Sequence, residues 1–199
     1  GDILVARHFD PVFNDALARK RRKGYLKFYE KTLENFKQVF YIHGNHEPYG
    51  CDIDYAKELT YKFLPEWTDP YYTSGPWDLS RGTWADLTEK TVIIGCTLWT
   101  DMNKRNPIDM LAIGQGMNDF HSIWKLEKRF APTDAVDIFD KQLAGIKAVA
   151  EQDQKDVIVV THHAPSRKGV NPLHHASMLN AGYYSDLDQF ILDHPQIKY

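Results

Sequence analysis

A short apolar stretch that runs directly into Gly44-Asn45-His46-Glu47 is the feature that most constrains this chain. Residues 39–42 have the composition of a strand. Open α/β sheets bind their ligands at the carboxyl ends of their strands. Asn45 offers a carbonyl oxygen that suits a hard or borderline cation, and His46 can act as a proton donor. Gly and Asn also form ordinary turns, so the tetrapeptide alone leaves that interpretation open.

Two more apolar segments adjoin side chains of metal-ligand type. Residues 1–5 are interpreted as the end of a buried strand running into a loop, and they include Asp2; residues 157–160 form a β-branched run that leads to His162. Strands of a parallel or mixed sheet deliver their carboxyl ends to one edge, so Asp2, Asn45 and His162 are expected to meet there. A carboxylate, an amide oxygen and an imidazole suit Mn, Fe, Zn, Co or Ni.

Alternating helix and strand signals predict an α/β architecture. Helical patterns cover residues 11–37, as one or two amphipathic helices, and residues 54–63, 136–152 and 185–192. We expect antiparallel strands of a second sheet layer at 71–73, 83–85 and 91–97, a fully buried strand at 157–160, and the start of another strand at 195–199. Residues 100–132 lack a strong period and are expected to form a long surface excursion with a short helix.

Composition excludes several classes of protein. The 199 residues are 43% hydrophobic and 26% charged, which fits a single globular domain and excludes a disordered chain. The net charge of -3 provides no overall basic field, so nucleic-acid binding is not indicated by the bulk charge. The sequence leaves binding through a local basic patch open. No apolar run is long enough to span a membrane. Cys51 and Cys96 show neither metal-type spacing nor a disulfide framework; both are expected to be small buried hydrophobes in a reducing, cytoplasmic compartment.

Three motifs in order, Gly1-Asp2, Gly44-Asn45-His46-Glu47 and His162-His163-Ala164-Pro165, resemble the calcineurin-like metallophosphoesterase family. The segments 97–101, 117–120 and 161–166 are similar to a bacterial and phage-type branch of it. The resemblance implies a four-layer α/β/β/α sandwich of two mixed β-sheets flanked by helices.

The same resemblance implies a dinuclear metal site and a reaction. Asp2 would bridge two divalent metal ions, Asn45 and His162 would bind the second of them, and His46 would protonate the leaving alcohol. A water activated between the two metals would hydrolyse a phosphomonoester or a phosphodiester. The expected partner is therefore a phosphoester substrate, with no membrane and no assigned oligomeric state.

The sequence also departs from the family pattern. The opening Asp-x-His motif would precede Gly1, the closing Gly-His-x-His motif would follow a strand that starts near Ile197, and Val5 stands where a second Asp often occurs. We therefore expect residues 1–199 to be one domain cut at both ends, which binds metal weakly and turns over little by itself. The alternatives are a non-catalytic interaction scaffold of the same fold and a nuclease of the same family.

Several other residues have two interpretations. Arg167, close behind the His162 strand end, is expected to contact the substrate phosphate, and His163 to support the site or the core. Glu47 either orients a ligand or is solvated, and the basic run 19–23 is more typical of a solvated helix face than of a phosphate-attracting one. The remaining histidines are expected to be surface, core or loop residues, and most of the aromatic residues that could wall a pocket to be core: His8, His43, His121, His174, His175, His194, Trp77, Trp99, Tyr183 and Tyr184.

Overall fold

The computed structural model describes residues 2–63, 76–79, 83–152, 155–174 and 176–198. These residues contain α-helices, short 3₁₀ turns and paired strands. The α-helices are α1 (Ala16–Asn35), α2 (Ile53–Phe63), α3 (Met102–Arg105), α4 (Pro107–Gly116), α5 (Asp119–Ser122), α6 (Pro132–Gln152) and α7 (Asp188–Asp193). The 3₁₀ turns are Ala6–Phe9, Arg167–Gly169, Pro172–His174 and Asn180–Gly182.

The strands form two sheets that matter for the site and one small hairpin. They are β1 (Val39–Tyr41), β2 (Pro76–Asp78), β3 (Trp84–Thr88), β4 (Thr91–Cys96), β5 (Trp124–Lys125), β6 (Lys128–Arg129) and β7 (Asp156–Thr161). β1 pairs with β2 in parallel, whereas β4 lies between antiparallel β3 and parallel β7. β5 and β6 form the hairpin.

Three apolar clusters hold four layers together. Leu4, Phe9, Tyr29 and Leu59 join α1 and α2 to the outer face of β1. Ile42, Leu79, Ala85 and Ile93 pack between the two sheets. On the far side, Val92, Ile94 and Val157 of the larger sheet pack against Ile146 and Ala150 of α6. This order of helices, sheet, sheet and helix confirms the α/β/β/α sandwich.

Local sequence signals explain the long helices. The Asp15 carboxylate accepts a hydrogen bond of 2.7 Å from Ala18 N and caps α1, which is one helix within the expected range 11–37. α6 begins at Pro132, four residues before the expected start, because proline suits the first helical position and its missing N–H needs no partner there. Within the described parts of the chain, every helix is too short or too polar to cross a bilayer.

The largest difference from the expectation lies in residues 100–132, which form no surface excursion. They contain α3, α4, α5 and the β5–β6 hairpin, and they contribute Met102, Ile113, Phe120, Ile123 and Phe130 to the main core. Elements of two to ten residues are too short to show a regular spacing of apolar residues. The sequence of this region therefore resembled that of a loop.

Smaller corrections concern the strands. Residues 2–5 form a loop without strand pairing, in which Leu4 is buried and Ile3 is exposed. β7 is not fully buried: of its six residues only Val157 is, and its outer edge meets Ile197 through a single parallel bridge. The strand expected at 91–97 pairs antiparallel with β3 as predicted but parallel with β7. The strand expected at 71–73 lies outside the described residues.

Candidate functional site

A cleft of about 470 Å³ opens beyond the ends of β1 and β7, where the sequence predicted the site. Its walls come from five separate stretches of the chain, which meet at this edge of the sheets. The residues that line it are Asp2, Asn45, His46, Tyr49, Gly116, Met117, Asn118, Asp119, His162, His163 and Tyr183.

Asp2, Asn45 and His162 converge in this cleft. His162 Nε2 lies 2.8 Å from Asn45 Oδ1 and 3.5 Å from Asp2 Oδ2. Asn45 is buried, His162 is half-buried and Asp2 faces the opening. Burial is the main cause that lowers the pKa of His162, ahead of the neighbouring Asp2 carboxylate, which raises it.

Glu47 fixes the backbone on which these side chains stand. Its fully buried carboxylate accepts hydrogen bonds from Asp2 N (2.9 Å), Ile3 N (3.0 Å), Gly44 N (2.8 Å) and the Tyr41 hydroxyl (2.9 Å). All four partners are donors, so a carboxylate satisfies them and is itself satisfied. The solvated interpretation of Glu47 is therefore wrong.

Gly44 permits the close approach of the two polar segments. A Cβ at this position would lie 2.7 Å from Asp2 N and 2.8 Å from His162 Cε1, and it would also collide with Asp2 Oδ1. A side chain larger than hydrogen would therefore force Asp2, His162 or the turn itself to shift. The glycine therefore serves this packing as well as the turn for which the sequence suggested it.

Asp119 sets the direction of the Asn45 amide and is the residue that sequence reasoning did not single out. Its Oδ1 accepts a 2.6 Å hydrogen bond from Asn45 Nδ2, which turns the carbonyl oxygen of Asn45 toward His162. Burial is the main cause that raises the pKa of Asp119, and the bond from Asn45 opposes it. The only sequence signal was the resemblance of segment 117–120 to a branch of the family.

His46 occupies the mouth of the cleft. Its backbone N–H donates to Asp2 Oδ1 at 3.0 Å, and its Nδ1 lies 3.5 Å from Asp2 Oδ2. The ring packs at 4.6 Å, centroid to centroid, from Tyr49, and its side chain is half exposed. His46 is thus held at one edge while its ring stays accessible to a molecule in the cleft.

His163 is a buried support beneath His162. Its Nδ1 lies 3.2 Å from the Thr97 carbonyl, and its ring packs on Trp99 at 5.3 Å and edge-on to His162 at 5.1 Å. Burial, followed by the neighbouring His162, lowers the pKa of His163 to about 4. A neutral ring that donates its Nδ1 proton to Thr97 explains these contacts.

Comparison with known proteins identifies the family. A family model described as calcineurin-like phosphoesterase matches residues 1–197. This chain belongs to the calcineurin-like phosphoesterases.

Two proteins of known sequence or structure are similar to this chain. An uncharacterized protein of Acanthamoeba polyphaga mimivirus is 25% identical over 194 residues, covering 89% of this chain and 65% of the viral protein. The crystal structure of the phosphopantetheinyl hydrolase from Mycobacterium tuberculosis superposes with a TM-score of 0.58 at 15% identity, covering 83% of this chain and 61% of that one. The second likeness shows the fold alone. The chain spans less than two thirds of the length of either protein.

The structure brings together all but one of the expected site residues. Asp2, Asn45, His46 and His162 line the cleft, whereas Arg167 is exposed on the 3₁₀ turn after β7 and is not among the described residues of the cleft wall. Tyr183 lines the cleft, while Trp99 is buried in the core.

The donor atoms in the cleft are of mixed type. No group of three or more His, Cys, Asp or Glu side chains that could hold a metal ion occurs in the part of the chain that the structure describes. The converging set instead includes the amide oxygen of Asn45, which is an acceptable ligand for hard and borderline cations.

Proposed function

We propose that this phosphoesterase chain hydrolyses a phosphomonoester or phosphodiester with the help of divalent metal ions bound by Asp2, Asn45 and His162. The observation that supports the proposal most strongly is that a carboxylate oxygen and an amide oxygen both lie within 3.5 Å of one imidazole nitrogen in a cleft. The chain's family, whose members generally use divalent metals, also supports metal-dependent hydrolysis.

The chemistry of the donor set fits a divalent cation. Donor atoms separated by about 3 to 3.5 Å suit metal–ligand bonds of about 2.0 to 2.2 Å. Asp119 presents the carbonyl face of the Asn45 amide rather than its NH₂ group, which could not bind a cation. We propose two such ions: Asp2 would help to hold both, and Asn45 and His162 would hold one of them. Mn, Fe, Zn, Co and Ni all accept these ligands.

The residues of the chain have separate tasks in the proposed reaction. Bound divalent cations supply charge neutralisation for the phosphate and a more acidic water. Asp2, Asn45 and His162 hold those cations in a fixed arrangement. His46 donates a proton to the leaving oxygen, a role that fits its exposed ring at the mouth of the cleft and its contact with the Asp2 carboxylate.

Walls of the cleft suggest how an ester would lie. His46 and Tyr183 are exposed and form the rim of the cleft, so an alcohol group leaving toward the rim would pass His46. Arg167, exposed and outside the cleft wall, would contact only a substrate that extends beyond this rim.

A metal titration and a leaving-group series test the proposal together. Cobalt binding is followed by absorption, and hydrolysis of phenyl phosphate, 4-nitrophenyl phosphate and the diester bis(4-nitrophenyl) phosphate is measured with Mn²⁺ in wild type, Asn45→Ala and His46→Asn. We expect Asn45→Ala to weaken cobalt binding. His46→Asn should bind cobalt normally and lose about 10²-fold or more on phenyl phosphate, but far less on the nitrophenyl ester, whose leaving group needs little protonation.

Because the wild-type rate of hydrolysis is compared with the rates of variants, even slow hydrolysis tests the proposal. His194→Asn, a histidine at the end of α7 outside the cleft, is the matched control and should match wild type in both assays. A wild-type rate no higher than that of Asn45→Ala on both monoesters and on the diester bis(4-nitrophenyl) phosphate would contradict the phosphoesterase proposal and favour a non-catalytic scaffold. Equal losses for His46→Asn on both monoesters would contradict its role as proton donor.

A further inference from the structure

A second concavity of about 620 Å³ adjoins the cleft and shares Tyr49 with it. We call it the arginine groove. Its size falls in the range of about 300 to 1,000 Å³ that is usual for ligand sites. It is lined by Val5, Arg7, His8, Phe13, Asp15, Leu17, Ala18, Arg21, Tyr49, Gly50, His121, Ser122, Trp124 and Arg129.

The charge of the arginine groove is opposite to that of the chain. Arg7, Arg21 and Arg129 line it, whereas Asp15 is its one acidic residue among those described, and the Asp15 carboxylate already accepts from Ala18 N at the start of α1. The whole chain carries a net charge of -3. The positive charge of the groove is therefore local and does not come from a generally basic surface, so the groove itself would attract a polyanion.

Two of the arginines are stacked on aromatic rings. The Arg7 guanidinium lies 4.1 Å from the centre of the Phe13 ring, and the Arg129 guanidinium lies 4.0 Å from the centre of the Trp124 ring. Both rings are more than one third exposed. Stacked pairs of this kind present flat cationic surfaces on which unstacked bases can lie, with donors at the edges for phosphate oxygens.

Backbone hydrogen bonds fix the walls of the groove to the turn that carries the cleft. Ala6 N donates to Glu47 O at 2.8 Å, Gly50 N to Ser122 O at 2.7 Å and Trp124 N to Cys51 O at 3.0 Å. Gly50 has a φ of +79°, and a Cβ there would meet the Arg7 side chain at 2.9 Å. The Arg7 side chain therefore lies directly against this turn, in a position set by the fold.

We propose that the arginine groove binds single-stranded nucleic acid, with bases on the Arg7–Phe13 and Arg129–Trp124 pairs and backbone phosphates at the arginine edges. The strand would pass over Tyr49 into the cleft. That continuation rests on the phosphoesterase function proposed above, whereas binding in the groove does not. A single strand fits better than a duplex because only unpaired bases expose faces for stacking.

Charge-neutralising variants with matched controls test the binding. A short fluorescein-labelled single-stranded oligonucleotide is titrated with the protein in EDTA, and the anisotropy is followed at several salt concentrations. Arg21→Gln with Arg129→Gln removes two groove cations, whereas Lys20→Gln with Lys128→Gln removes two exposed charges beside them in sequence but outside the groove. Both pairs change the net charge equally.

The two pairs should differ clearly. We expect the groove pair to bind about tenfold or more weakly and to lose about 1.4 from the slope of log K against log salt, at about 0.7 per contact to a single strand. The control pair should stay within about twofold of wild type. Equal losses in the two pairs, or no binding by wild type, would overturn the proposal.

A second comparison separates nucleic acid from simple polyanions. Trp124→Ala should weaken binding of the oligonucleotide but not of inorganic polyphosphate, which has no bases to stack. Phe13→Ala, in the loop before α1, repeats the comparison should the tryptophan variant fail to fold. Polyphosphate or duplex DNA binding as tightly as the single strand would refute the assignment. Absence of oligonucleotide binding by the wild type, together with intact aryl phosphate hydrolysis, would refute the groove proposal and leave the phosphoesterase proposal unaffected.

Discussion

Replacing Glu47 with glutamine tests whether one buried carboxylate holds the cleft together. Glutamine has the same shape, but its NH₂ group donates where a carboxylate oxygen accepts. With that NH₂ group toward Tyr41, whose hydroxyl can turn and accept, the amide of Ile3 loses its acceptor. The bonds from Asp2 N and Gly44 N remain but lose the charge of their acceptor.

These losses set the magnitude for Glu47→Gln. The Ile3 N–H is only partly buried, so its loss of a partner costs about 1 kcal/mol, the lower end of the range for buried donors, and two bonds that become neutral cost about 1 kcal/mol each. Removal of a charge from a buried site offsets part of this sum. We expect a net loss of about 2 to 3 kcal/mol in the free energy of unfolding, which for a chain of this size lowers Tm by about 4 to 12 °C.

Urea unfolding followed by circular dichroism measures the effect, and cobalt binding measures its consequence for the cleft. Glu58→Gln is the matched control, because the Glu58 side chain is exposed on α2 and meets Lys62 only at 3.9 Å. The control should change stability by less than about 0.5 kcal/mol. Glu47→Gln should also bind cobalt about 10- to 100-fold more weakly, since Asp2 loses its anchor. Equal stability and equal cobalt affinity in the two variants would refute this reasoning.

Three further predictions follow from the same contacts. Asp119→Ala should weaken cobalt binding about 10- to 100-fold because the Asn45 amide is free to turn, whereas Asp119→Asn, which can still accept from it, should restore most of the affinity. Gly44→Ala should lower Tm and cobalt affinity, whereas Gly24→Ala, in open space on α1, should raise stability by about 0.5 to 1 kcal/mol. Cys96, buried and with a pKa raised to about 12 by burial, should resist a thiol reagent at pH 8 until urea unfolds the chain.

The sequence predicted the parts of the site that depend on local order along the chain. Asn45 and His162 follow strands, and the rule that strand ends share an edge was enough to place these two together. Asp2 lies in a loop without strand pairing and is held beside them by the Glu47 carboxylate. Helices α1, α2 and α6 were also predictable, because each is long enough to show a period and carries polar or proline signals at its start.

The parts of the site that the sequence did not predict depend on contacts between residues far apart in the chain. Asp119 meets Asn45 across 74 positions, and Glu47 meets Asp2 across 45. Neither residue differs in type from a solvated carboxylate, and only burial shows its role. The arginine groove is a similar case, because Phe13 and Trp124 are far apart in the sequence. The basic run 19–23, which contributes Arg21 to the groove, was typical of a solvated helix face.

The turn from Gly44 to Gly50 links the cleft to the arginine groove. The Glu47 side chain holds Asp2 in the cleft, while the Glu47 carbonyl accepts from Ala6 N at the start of the 3₁₀ turn that carries Arg7 and His8. A shift of this residue would therefore move both surfaces, whereas a change in the Asn45 side chain would affect the cleft alone. One fixed turn can thus hold a nucleic-acid strand in the groove at a constant position relative to a phosphate in the cleft. The two proposals describe a single substrate path only under this condition.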